Sequence, residues 1–477
     1  MRYITKTDLK IIANGSGNIM LGIGAMCLVP LIFDLIYLEF DINSFVIPAG
    51  ISTILGFVLR NQFKEVSNKK TKMKHGMIIS SFAWLWASLI GGLVFTLATN
   101  IPLIDGVFES MSALTGTGIT MFENVEVLPH SILFFRALEQ WVGGLGVVVM
   151  IIAVLTKPGA LSSKLYNSEA RDERFKPSTK TTLIKTIEIY LIYTAAGIVL
   201  YLLAGMPAFD ALCGTLHIIS TGGMSIHNEN MGFYHDNLIY FISIVLMILG
   251  ATSFFVHYKV IKTKGKSIIH DLQFKIIITV IAVVTLMLYY VSNIVPMDLL
   301  FTVVSAITTT GASVASPLTM AGWPSFVIIC LMCLMLTGGS NGSTVGAIKL
   351  VRMITFFKGI YKHIREILSP EGRVVPITLH GRPIESKSIS QAGNFITLYM
   401  MFIMFTWALF CLFGYDPFRS LFAAMSLQGN NGLELGIINY SLNPILKLVS
   451  MFDMWTGRLE IYPVLITLRA GFEIFKR

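Results

Sequence analysis

The sequence predicts an all-α integral membrane protein of about ten transmembrane helices: an N-terminal helix pair followed by four pseudo-symmetric repeats of span, half-helix and span about one axis. Three observations predict it. First, 54% of the 477 residues are hydrophobic and only 13% charged, with a mean hydropathy of +0.71, whereas roughly a quarter of the residues of a soluble domain are charged. Second, the apolar residues fall into runs near the ~20 residues that span a bilayer. Third, one short polar motif recurs four times in the same context.

The apolar runs lie at about 18–38, 43–60, 76–99, 131–155, 182–204, 237–257, 274–294, 323–350, 394–413 and 444–470. The first is too long for a signal-peptide core and lacks a small-residue cleavage site, so it is expected to be a retained span. Lys and Arg crowd one set of connections: Lys64 to Lys74, Lys157 to Lys180, Lys259 to Lys266 and Lys358 to Lys387. The opposite connections, such as 225–238 and 292–322, have none. Positive loops stay on the cytoplasmic side, which predicts both termini inside, in a multi-pass cell-membrane protein. The net charge of +9 follows largely from that asymmetry and is no sign of nucleic-acid binding. Cys27, Cys213, Cys330, Cys333 and Cys411 lie in apolar stretches without metal-ligand spacing and read as plain core residues.

The recurring motif is "TGTGIT" at 115–120, "STGGMS" at 220–225, "TTTGAS" at 308–313 and "GNNGLE" at 429–434. In one register these place Thr115, Ser220, Thr308 and Gly429 first; Gly116, Thr221, Thr309 and Asn430 second; Thr117, Gly222, Thr310 and Asn431 third; and Gly118, Gly223, Gly311 and Gly432 fourth. Before each comes a run of about 10–12 residues, too short to cross, which must dip in and return. Irregular backbone at membrane depth is tolerated where protein buries it or it lines a cavity. One such stretch is usually a packing face or a kink; four in register read as loops sharing one cavity. Half-helix C-termini direct partial negative charge toward the centre and favour a cation, and few charges in the loops favour a ring of carbonyls over a ring of carboxylates. The expected organisation is a helix pair and loop at 1–75, repeats at 76–156, 182–273, 274–352 and 394–477, and cytoplasmic loops at 157–181 and 353–393.

A second informative stretch is "GGSNGSTVGA" at 338–347. Gly338, Gly339, Gly342 and Gly346, with Ser340, Asn341, Ser343 and Thr344, are poor helix formers and should break the eighth run, either as a flexible gate or as a small-residue packing kink. Arg458, in "MWTGRLEIY", stands out among the ionisable residues of the last run. A charge at that depth marks a site or an ion pair with Asp453, Glu460 or Glu139. Glu139 and Gln140, near Arg136, read as a structural network.

Enzymatic signatures are weak. "GGSNG" fits G-x-S-x-G with Ser340 as nucleophile, but the downstream histidines, His363 and His380, lie in a basic loop, and no strand precedes it. No phosphate-loop pattern is present. His217 and His227 bracket the second motif without a carboxylate at ligand spacing. The chain is not expected to be an enzyme.

With "RALEQWVGGLGVVVM" at 136–150, "MPAFDALCGTLHIISTGGMSIHN" at 206–228, "GGSNGSTVGAIKLVR" at 338–352 and "GRLEIYPVLI" at 457–466, the chain resembles, over nearly its whole length, the Trk/Ktr/HKT superfamily of potassium transporters, most closely its Trk-type membrane subunits. The resemblance implies a single pseudo-fourfold pore and a homodimer. It also implies a cytoplasmic nucleotide-binding regulatory subunit of the TrkA/KtrA kind, which carries any nucleotide, with potassium as transported ion and no covalent cofactor. It further implies a filter formed by the backbone of the sixteen motif residues, a gate at 338–347 and Arg458 as a barrier beside it. Two departures stand out: Gly116 where many Trk-type members have threonine, and a fourth copy without the proline-containing version. They put discrimination against sodium in question. Passive, gated flux driven by membrane potential is expected; proton- or sodium-coupled symport, with Glu139 or Asp453 as coupling carboxylate, is the alternative.

Overall fold

The structure, a computed structural model, describes residues 4–67, 69, 71–155, 179–263, 268, 271–370, 375–379 and 382–475. Most of the predicted loop 157–181 lies outside the described residues. The described chain is helical apart from one two-residue antiparallel pairing, Thr378–Leu379 with Arg382–Pro383. Among the described residues six helices are individually long and apolar enough to cross a membrane, or seven if a bent pair counts as one span.

The N-terminal pair consists of Lys6–Leu28, continued by Leu31–Ile36, and Ile42–Gln62. The two helices approach closely because Gly17 meets Gly56: a Cβ on Gly17 would lie 2.8 Å from the Gly56 carbonyl. Small residues permit such approach where lipid supplies no hydrophobic drive. The loop after Ile36 carries Glu39, whose carboxylate accepts the amides of His130 and Ser131 (2.6 and 3.0 Å) and caps the helix His130–Leu155. Donors at a helix start need such partners.

Four repeats follow. Their first spans are Met73–Thr99, Thr179–Leu203, Leu272–Val291 and Ser386–Leu412. Their half-helices are Leu103–Thr115, Ala208–Ile219, Pro296–Ile307 and Pro417–Gly429. Each half-helix starts with proline at the N-cap or first position and an aspartate nearby: Pro102 with Asp105, Pro207 with Asp210, Pro296 with Asp298, Pro417 with Asp416. Proline there loses no hydrogen bond and presets φ, and the carboxylate complements the positive helix end. Each half-helix stops after 12 or 13 residues, close to the length read from the sequence.

The second spans differ. In the first repeat His130–Leu155 is continuous. In the third the helix Ser325–Thr337 ends where the glycine-rich stretch begins, and a helix restarts at Leu350–Ile367. Two further breaks correct the sequence reading, which took 237–257 and 444–470 as continuous. Asn237–Ala251 turns by 103° into a second helix beginning at Phe254, and Pro444–Arg458 is separated from Tyr462–Phe475 by Glu460 and Ile461 at φ +60° and +62°. Both breaks are held by groups from other repeats, which no local pattern records.

Buried apolar side chains form two main bodies, one from the second and third repeats, the other from the N-terminal pair with the first and fourth. Cys27 and Cys213 are buried as expected, but Cys333 is exposed on the apolar surface and Cys330 and Cys411 are partly so, because a membrane span turns apolar residues outward as well as inward.

Glu39→Ala should lower the melting temperature in detergent, at a cost of about 1 kcal/mol, because it orphans the donors it caps. Burial would raise the Glu39 carboxyl pKa, but the amides of Ser131 and His130 prevail and lower it. Its contribution is therefore fully present above the unfolded value of about 4.3 and lost as pH falls through the lower folded value. The gap in melting temperature between parent and variant should be constant near neutrality and shrink in acid.

Candidate functional site

All four half-helices end in the same turn. The second-place residues, Gly116, Thr221, Thr309 and Asn430, are left-handed, with φ of +69°, +53°, +49° and +49°. Their amides donate to the carbonyls of Ala113, Ile218, Ala306 and Leu427, and the third-place amides of Thr117, Gly222, Thr310 and Asn431 donate to Ser112, His217, Ser305 and Ser426. This is the Schellman arrangement, whose left-handed position favours Gly or Asn. Gly116 and Asn430 therefore suit the backbone of their turns, and the departure at Gly116 leaves the geometry of the first copy unchanged. The strained copies are the second and third, since a β-branched residue rarely adopts positive φ.

The fourth-place glycines close a ring. Gly118, Gly223, Gly311 and Gly432 have φ of +85°, +73°, +73° and +91°. A Cβ on Gly118 would fall 2.5 Å or less from the carbonyl oxygen of Gly222. On Gly223 it would meet that of Thr310, on Gly311 that of Asn431, and on Gly432 that of Thr117. Each copy thus rests on the third-place carbonyl of the next, and the fourth returns to the first. Positive φ and close approach both demand glycine.

Side chains fix the ring from behind. Arg136 Nε donates to Glu109 Oε1 at 2.8 Å, and its Nη1 to the Ser225 carbonyl at 2.8 Å. Glu109 also accepts Thr120 Oγ1 and the Met121 amide. Gln140 accepts the Met224 amide (2.8 Å) and donates to the Met224 carbonyl (3.0 Å). The exits of the first two loops are thereby pinned to one helix, as the network reading expected, though Arg136 pairs with Glu109 and not with Glu139. Glu139 instead accepts Ser110 Oγ at 2.6 Å. In the fourth copy Asn430 Nδ2 donates to Thr117 Oγ1 and the Met454 carbonyl, and Asn431 Nδ2 to the Ala306 carbonyl. Thr115 pairs with Thr117 at 2.9 Å, as Thr308 does with Thr310 at 2.8 Å. Three carbonyls of the motif residues already accept a hydrogen bond: Ser220 from Thr221 Oγ1, Gly223 from Asn230 Nδ2, and Gly429 from the Ala347 amide.

The segment 338–347 lies directly against this ring. The Gly346 amide donates to Thr309 Oγ1 at 3.0 Å, and Thr221 Oγ1 lies 3.0 Å from Thr344 Oγ1. The two strained threonines are thus the two whose hydroxyls meet the segment. Gly338 and Gly342 adopt positive φ; Ser343 Oγ donates to the Ser340 carbonyl, and Gly339 abuts Ala251. Arg458 Nη1 donates to the Thr344 carbonyl at 2.7 Å and Nη2 to the Gly143 carbonyl at 2.9 Å. A small cavity beside it is lined by Ser343, Gly346, Lys349 and Gly457 among others. Among the described residues Arg458 makes no ion pair, which removes the alternative of Asp453, Glu460 or Glu139 as its partner. Glu460 binds Lys349 and Arg352 instead, at 2.7 and 2.6 Å, because the chain restarts its helix beside the break at 459–461.

The sequence reading missed Glu109, Lys349 and Arg352. Glu109 had a signal, an acid in the middle of an apolar half-helix; Lys349 and Arg352, beside a basic cytoplasmic connection, carry no local signal of a partner. His227, read as lacking a carboxylate at ligand spacing along the chain, has Asp210 Oδ2 at 3.0 Å from Nε2 and stacks on Phe233. No group of three or more metal-ligating side chains occurs among the described residues.

Residues 42–473 match the TrkH family model, described as a cation transport protein. The chain is 38% identical over 464 residues to an uncharacterized cation transporter of Methanocaldococcus jannaschii, covering 97% of this chain and 96% of that one. It is 30% identical over 461 residues to the Trk system potassium uptake protein TrkG of Escherichia coli, covering 93% and 94%. Its fold superposes on the crystal structure of the potassium transporter TrkH from Vibrio parahaemolyticus with a TM-score of 0.85 at 26% identity, covering 97% and 99%. A helical membrane chain with this repeat and this coverage belongs to the TrkH family of cation transport proteins.

Proposed function

We propose that this protein takes up potassium across the cell membrane by passive, gated flux driven by membrane potential, with the four-loop ring as a carbonyl filter. The observation that carries this reading is the identical turn in all four copies, closed into a ring by four glycines at positive φ. In this reading backbone carbonyls of the four loops of one chain surround one point at membrane depth, beyond the negative ends of four half-helices. Relatives named as potassium uptake proteins and a potassium transporter support the choice of ion. The filter comprises Thr115 to Gly118, Ser220 to Gly223, Thr308 to Gly311 and Gly429 to Gly432, with the Ser220, Gly223 and Gly429 carbonyls already engaged.

Segment 338–347 is the gate and Arg458 its fastener, a buried cation beside the ring whose charge opposes passing potassium. Both termini lie in the cytoplasm, where the basic loops receive a nucleotide-binding regulatory subunit. A homodimer accords with the apolar stripe of Phe357, Ile360, Tyr361, Ile364 and Ile367, which is exposed on the helix Leu350–Ile367. Coupled symport is the second reading, favoured by buried Glu139 and Asp453, each with one carboxylate oxygen lacking a hydrogen-bond partner.

Three measurements on purified protein in liposomes test these readings. Potassium and rubidium should enter and sodium and lithium should not, with or without a proton gradient; potassium flux that vanishes without that gradient would establish coupling instead. Gly311→Ser should reduce the potassium-to-sodium ratio about tenfold, ~1.4 kcal/mol in relative barrier, because its hydroxymethyl group collides with Asn431. Arg458→Ala should raise potassium flux severalfold and leave that ratio unchanged; flux at or below the parent level would remove Arg458 from the gate.

A further inference from the structure

Segment 338–347 is held on the side away from Arg458 by an exchange of hydrogen bonds with the break in the second repeat. In an uninterrupted helix the carbonyls of Gly250 and Ala251 would receive the amides of Phe254 and Phe255. Here the Phe254 amide donates to the Gly342 carbonyl at 3.1 Å and the Phe255 amide to Ser253 Oγ. The freed carbonyl of Ala251 accepts the Ser340 amide at 3.0 Å, and that of Gly250 accepts the Thr344 amide and Thr344 Oγ1. Between these two attachments the Asn341 amide donates to a side chain, Gln273 Oε1, at 2.9 Å. Gln273 is buried in the first turn of Leu272–Val291, at the end of the connection that leads back from the second repeat on the lysine-rich side.

We propose that Gln273 is a positioning residue, a latch that holds the tip of segment 338–347 against the ring and weights the closed arrangement over the open one. This rests on the reading of that segment as the gate. The other acceptors on this side are backbone carbonyls, fixed where the broken helix puts them. Gln273 is different: its amide is neutral and reaches from a neighbouring helix, so rotation about its side-chain torsions, or a shift of the helix start, releases the Asn341 amide. The released amide then needs water, which favours the segment's departure from its buried site. The start of Leu272–Val291 follows directly from a cytoplasmic connection, so a pull on that connection acts on the latch through one helical turn.

The test is rubidium uptake by the full-length protein in liposomes. Gln273→Leu removes the acceptor at similar volume, and Asn341→Pro removes the donor from the opposite side. Each should raise uptake roughly three- to tenfold, the worth of one buried hydrogen bond, with the rubidium-to-sodium ratio unchanged. The double variant should gain no more than either single one, since both remove the same bond. Gln273→Glu, which retains an acceptor oxygen, should raise uptake less than Gln273→Leu. Deletion of residues 340–344 is the reference for the gate itself. If the deletion raises uptake while Gln273→Leu and Asn341→Pro do not, the latch is overturned and the gate stands. If the deletion leaves uptake at the parent level, the gate reading falls and the latch with it. Should Gln273→Leu fail to give monodisperse protein, Asn341→Pro and its double with Gln273→Glu decide the matter alone.

Discussion

Backbone amides and carbonyls at membrane depth must find partners within the protein, and the rest of this structure follows from how four interrupted loops meet that demand. Each loop first satisfies its own half-helix end with two short-range bonds. Each then leans its third-place carbonyl on the glycine of a neighbour. No loop could do this alone, because the space beside each fourth-place glycine is filled by a different repeat. The ring exists as four or not at all.

The same economy governs the breaks in the second spans. A broken helix leaves carbonyls and amides free, a serious cost in a bilayer unless something else takes them up. Segment 338–347 takes up those of the second repeat, and the second repeat takes up those of the segment. The break in the fourth repeat is paired in another way, through Glu460, Lys349 and Arg352. Arg458 then joins the fourth repeat to the segment and to the Gly143 carbonyl of the first. Segment 338–347 therefore touches groups from the second, third and fourth repeats directly and the first through one arginine. An element so placed must give up contacts with several repeats whenever it moves.

Strain is distributed unevenly around the ring. Gly116 and Asn430 occupy their left-handed positions at little cost, while Thr221 and Thr309 do so against the preference of a branched side chain, at a cost of order 1–3 kcal/mol each. Those two threonines carry the hydroxyls that contact Thr344 and Gly346. The unfavourable conformation is retained where it supplies a contact to the adjoining segment, which ties the conformation of two loops to the position of that segment.

Much of this was legible in the residues. The length of the apolar runs marked the spans, the short runs before each motif marked the half-helices, and four glycines in register marked the ring, because each of these is a local demand of the backbone or of the bilayer. The glycine-rich stretch announced its own break for the same reason. Tertiary structure alone decided which repeat each glycine faces, that Arg136 answers Glu109, that Glu460 binds Lys349 and Arg352 and leaves Arg458 to two carbonyls, and that the helices at Ala251 and Arg458 stop. Those outcomes depend on partners hundreds of residues away in some cases, and hydrophobic pattern is blind to them: a helix whose freed carbonyls are received by another segment looks, along the chain, like a helix that never broke.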